Sequence, residues 1–132
     1  MTPAEIQTHF SRAVIFADDE YARPSLAWLQ GKFWDAFQRD RWDRVGSYSR
    51  KNDCDNWARA YAQLAQDCHA ATVGNNAAAL AVGEFFYARE DGVRHAIVCA
   101  FVESGLVFIE PQNGRVLTLT PSERQLCFFV RF

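Results

Sequence analysis

The chain has 132 residues, of which 49% are hydrophobic, 14% aromatic and 23% charged. That is enough apolar material for a buried core and excludes a disordered protein. Fourteen basic residues against 16 acidic ones leave a net charge of −2, without the basic excess of a nucleic-acid or anionic-membrane binder. No stretch reaches the roughly 18 consecutive apolar residues of a transmembrane helix. The start, Met1 to Phe10, lacks a charged segment followed by an apolar run, so no signal peptide is read and a cytoplasmic location is expected.

One domain over residues 1–132 is expected from length. Cys54, Cys68, Cys99 and Cys127 form no CxxC pair, and His9, His69 and His95 are scattered. Neither a zinc site nor a disulfide framework follows, and no metal or cofactor is expected.

The first half reads as helical. Thr2, Pro3 and Glu5 form a helix start, expected to run on through Ile6, Phe10, Val14 and Ile15. Asp18-Asp19-Glu20 is a solvated connection. Pro24-Ser25 opens a second helix with Leu26, Leu29, Phe33, Trp34 and Phe37 on its core stripe, ending in the alternating charges of Arg39 to Arg44. Gly46 to Ser49 is a loop. A third helix starts at Asp53 as N-cap, supported by Asn52 or Asn56, with Trp57, Ala58, Tyr61, Leu64 and Ala65 on its apolar face. Val73 to Asn76 joins the halves.

The second half reads as strands over 80–87, 95–102, 106–110, 116–120 and 126–132, separated by turn signals at Asp91-Gly92, Ser104-Gly105, Asn113-Gly114 and Pro121-Ser122. Helices followed by a meander predict an α+β fold, N-terminal helices packed on a C-terminal antiparallel sheet.

Chemistry concentrates at Asn52-Asp53-Cys54-Asp55-Asn56-Trp57-Ala58. Cys54 falls in the first turn of a helix, where unpaired N–H groups and the helix dipole favour thiolate and can hold an oxyanion. Asp53 and Asp55 oppose this, so an imidazolium would have to outweigh them. His95, the single histidine of the β half, heads a strand, and a polar group at the end of the following strand would complete a nucleophile–base–orienter order. With Ser104-Gly105 as the hairpin tip, Cys99 faces Glu110, Ile97 faces Gln112 and His95 faces Gly114. Gln112 is then a diagonal neighbour of His95 and Glu110 lies two residues too far. Pro111 disturbs the ladder, and spacing leaves Glu110 and Gln112 as alternatives.

These residues, Asp53-Cys54-Asp55-Asn56-Trp57-Ala58, His95-Ala96 and Glu110-Pro111-Gln112-Asn113-Gly114, resemble compact papain-like cysteine peptidase domains over roughly residues 48–120. The likeness is to the C-terminal peptidase domain of certain mushroom agglutinins and to related small bacterial and phage proteins. The resemblance implies a papain-like α+β fold with a catalytic Cys at a helix N-terminus. It implies Cys54 as nucleophile, His95 as base and Glu110 as orienter, with Gln112 in reserve as orienter or oxyanion support. Gln30, Gln38 and Tyr48 stand as oxyanion-hole alternatives. The chain departs from the family in lacking a lectin domain, the Cys-Gly-Ser-Cys-Trp motif of larger members and recognisable calcium ligands.

The expected activity is therefore a thiol hydrolase, a cysteine peptidase or amidase acting through an acyl-enzyme on a peptide or amide substrate. A protein partner is left open. The alternative is a non-catalytic module of phage or mobile-element origin that keeps the fold for a structural or binding role. Cys99 and Cys127 are read as core, Cys68 and His69 as the end of the third helix, and Trp28, Trp34, Trp42 and Trp57 as core anchors, Trp57 also as a wall of the cleft.

Overall fold

The computed structural model describes residues 1–44, Ser49, 53–74 and 77–132, with residues 42–44 as backbone. Tyr48, Asn52, Asn75, Asn76 and the Trp42 side chain, all given roles above, lie outside it.

Helix α1 (Pro3–Gln7) starts at the expected box: the Thr2 hydroxyl accepts from the Glu5 N–H and the Glu5 carboxylate accepts from the Thr2 N–H. It stops well short of Ile15. The Gln7 side chain ends it, donating to the carbonyls of Phe10 and Arg12 and accepting from the Val14 N–H, so the following residues form a loop that one amide holds. That loop leads to β1 (Tyr21–Ala22).

The predicted second helix is two. Helix α2 (Leu26–Gln30), capped by the Ser25 hydroxyl, breaks at Gly31, and α3 (Lys32–Arg44) continues the stripe with Leu29, Phe33 and Phe37 buried. Helix α4 (Cys54–Val73) buries Trp57, Ala58, Tyr61 and Ala65. His69, placed near its end, does not serve the last carbonyls of the helix; its Nε2 donates 3.0 Å to the Ala78 carbonyl across the next connection.

Five strands form one antiparallel sheet in the order β6-β5-β4-β3-β7: β3 (Val82–Ala88), β4 (Arg94–Val102), β5 (Gly105–Glu110), β6 (Arg115–Leu117) and β7 (Cys127–Arg131). The α+β architecture with an antiparallel sheet stands as expected, but the meander does not: β7 crosses to the far edge and pairs with β3, not with β6. A separate pair, β2 (Ala79–Leu80) parallel to β1, was not foreseen because two residues carry no periodicity. Helix α5 (Pro121–Gln125) replaces the turn read at Pro121-Ser122; Thr120 and Glu123 form a second capping box, a start signal present in the sequence.

Each sheet face carries its own layer. Ala96, Val98, Ala100, Val82 and Ile109 meet Leu29, Phe33, Phe37, Ala58, Tyr61 and Ala65 from α2, α3 and α4. Phe85, Ile97, Cys99, Phe101, Phe108 and Cys127 meet Ile6, Val14, Tyr21 and Phe132 on the other side. Period-two alternation along β4 produces this division.

Candidate functional site

The β4–β5 hairpin decides which side chains meet. Val102 pairs with Gly105, so the tip is Glu103-Ser104, and Cys99 faces Phe108. The expected register is therefore off by two residues. The φ of +118° at Gly105 explains it: the glycine supplies the left-handed backbone as the first strand residue after the turn, not at its tip. An even shift keeps every side chain on its face but slides Glu110 two residues toward His95.

His95 Nε2 donates to Glu110 Oε2 at 2.7 Å, with the two side chains 16% and 13% exposed. The other carboxylate oxygen accepts from the backbone N–H of Gln112 at 3.2 Å. The choice between Glu110 and Gln112 thus resolves by geometry: Glu110 binds the ring, and Gln112 supports Glu110 through its backbone. Tyr87, paired with His95 across β3 and β4, packs edge-on to the imidazole at 6.0 Å. Burial pushes the Tyr87 phenol up to about 12, so it stays a neutral wall.

Cys54 opens α4, partly buried against the helical layer. Asp53 is at the N-cap position but its carboxylate caps nothing. It faces Asp55 instead, and the hydrogen bond and repulsion between the two raise its affinity for a proton. The Cys54 thiol is pushed up, first by burial and then by Asp53 and Asp55, while the neighbouring Ala96 N–H pulls the other way. Cys54 thus meets the backbone of Ala96 at the start of β4, and among the described residues no hydrogen bond joins its sulfur to the His95 ring.

Beside this end of the sheet lies a cavity of about 250 Å³ lined by Trp34, Gln38, Arg39 and Arg41 of α3 and by Gln112. Gly114 closes the turn at φ +70°, and a Cβ there would sit 2.8 Å from the Trp34 indole, so this glycine lets the turn press on the ring. Gln38, an oxyanion-hole alternative, lines this cavity; Gln30 ends α2, away from it. The sequence reading missed Arg39 and Arg41, taking them as a charged helix end. The signal was available: Trp34, Gln38 and Arg41 recur at four- and three-residue steps, one helical face.

Two solved structures show what this fold is similar to. The Polyporus squamosus lectin bound to a human-type influenza-binding epitope, Neu5Acα2-6Galβ1-4GlcNAc, is 18% identical with a TM-score of 0.78, covering 100% of this chain and 49% of that one. A second, described as the "PSL1a-E64 complex", is 19% identical with a TM-score of 0.76, covering 100% and 50%. The chain spans about half the length of both. No family model and no curated protein matches.

These comparisons correct the functional reading drawn from the resemblance. The first of these neighbours is a lectin holding a sugar epitope. The identification with cysteine peptidases, the thiol-hydrolase activity and the peptide or amide substrate are therefore not carried further. Burial and the two aspartates raise the Cys54 thiol and so disfavour its thiolate. No helix among the described residues is long and apolar enough to cross a membrane.

Proposed function

We propose that the chain is a non-catalytic binding module whose ligand sits where the start of α4, the head of β4 and the end of β5 converge, on Cys54, His95, Glu110 and Gln112. The observation that carries this reading is the pairing at that end. His95 is committed through Nε2 to a Glu110 carboxylate engaged on both oxygens, while the nearby Cys54 thiol is kept neutral. A fixed imidazole edge and a polar cavity alongside supply directed donors and acceptors without reorganisation, which is what recognition of a polar ligand needs.

The sialylated trisaccharide held by the lectin neighbour is the first probe. Calorimetric titration should show binding that His95→Ala weakens at least tenfold and Cys54→Ala leaves within twofold. Alkylation of Cys54 by iodoacetamide should be slow below about pH 8.5 and unchanged by His95→Ala. Rapid labelling at lower pH, abolished in His95→Ala, would reveal an activated Cys–His pair and overturn the non-catalytic reading.

A further inference from the structure

We propose that the cavity between α3 and the turn joining β5 to β6 is a carboxylate subsite, which takes the charged end of the ligand between Arg41, Arg39 and the amides of Gln38 and Gln112. This rests on the reading of the adjoining cleft as a binding site.

The cavity, about 250 Å³, has two guanidinium groups and, among the described residues, no acidic side chain in its lining. Arg41 is the unusual one. Its guanidinium stacks over the Trp57 indole and borders the Phe37 ring. Its Nη1 is buried, and among the described residues it has no hydrogen-bond partner. Burial opposes its charge, and among the described residues no carboxylate is seen to offset it. A cation desolvated on aromatic faces without a counterion is costly, and an anion arriving through the cavity would complete it. The planar guanidinium fork matches a carboxylate in two parallel hydrogen bonds, more closely than it matches a neutral hydroxyl. The side-chain amides of Gln38 and Gln112 add donors, and the Trp34 ring gives the ligand's first carbons an apolar wall. The size suits a carboxylate with a few carbons rather than a whole oligosaccharide. The Gln112 backbone N–H binds Glu110, so the turn that lines the subsite also braces the His95 pair.

The test is a nuclear magnetic resonance titration of the full chain with succinate and, separately, with its uncharged diamide, succinamide. Succinate should move the Trp34 indole and the Gln38 and Gln112 amide resonances, with binding that weakens as salt is added. Arg41→Gln should weaken it at least tenfold, and Gln38→Glu, at an exposed position, should abolish it without disturbing the fold. Equal binding of succinamide, wild-type affinity in both variants, or no response at saturating succinate would overturn the subsite. These outcomes are separate from failure of the cleft reading. Trisaccharide binding that depends on His95 but ignores Arg41 would retain the module and remove the subsite. Fast Cys54 labelling with intact succinate binding would do the reverse.

Discussion

Tyr61→Phe should stabilise this protein. Tyr61 sits mid-α4, 0% exposed, with edge-on rings on two sides: Phe33 at 4.8 Å and Phe37 at 5.0 Å. Its hydroxyl is buried and has no hydrogen-bond partner among the described residues, and burial pushes the phenol far above its ordinary value. Removing an unsatisfied hydroxyl recovers a desolvation cost of about 1–3 kcal/mol. The oxygen-sized void it leaves costs a few tenths of that, at about 24 cal/mol per Å³ of cavity. The ring packing is unchanged, so the net gain is about 1 kcal/mol. With an unfolding entropy of about 2.1 cal/mol/K per residue, that raises Tm by about 3–4 °C. Urea unfolding of both proteins, with equal slopes, measures it directly. A loss of more than about 0.5 kcal/mol would show that the hydroxyl has a partner and refute the reasoning.

Gly114→Ala should cost about 2–4 kcal/mol in urea unfolding, combining about 1–2 for a left-handed backbone with the displacement of Trp34, and should shift the tryptophan fluorescence. Glu110→Gln removes the charge-assisted bond to His95 and should cost about 1.5–3 kcal/mol, together with loss of the slowly exchanging His95 Nε2–H resonance. Asp53→Asn/Asp55→Asn should move the alkylation midpoint of Cys54 downward, because both aspartates raise it; a midpoint that does not move would leave burial as the whole cause. The fold favours protonated Cys54 and Cys99, so their contribution is full below the ordinary thiol value near pH 8.5 and is lost as pH rises through the folded values. Denaturation midpoints should therefore fall on the alkaline side, less steeply in Cys54→Ala.

The starts of α1, α2 and α4, the core stripes and the places of most strands are legible in the sequence of this protein because each rests on local chemistry; the strand order is not, since the last strand crosses to pair with β3 instead of following β6. Thr2 and Ser25 cap where a hydroxyl can reach a free N–H, and Leu29, Phe33 and Phe37 recur at the helical period. Cys54 at a helix start and His95 at the head of a strand were visible for the same reason. What the tertiary structure decided was everything that depends on register or on a distant contact. A shift of two residues in one hairpin, invisible to a period-two pattern, moved Glu110 from out of reach of His95 to 2.7 Å from it. The Gln7 side chain ended the first helix through bonds to a loop that has no signature of its own. Arg41 acquired a buried guanidinium nitrogen with no hydrogen-bond partner among the described residues only when α3 laid it across Trp57 of α4. The sign of the Cys54 shift was likewise a tertiary matter: the helix start favours thiolate locally, and burial against the sheet, with the two aspartates, outweighs it.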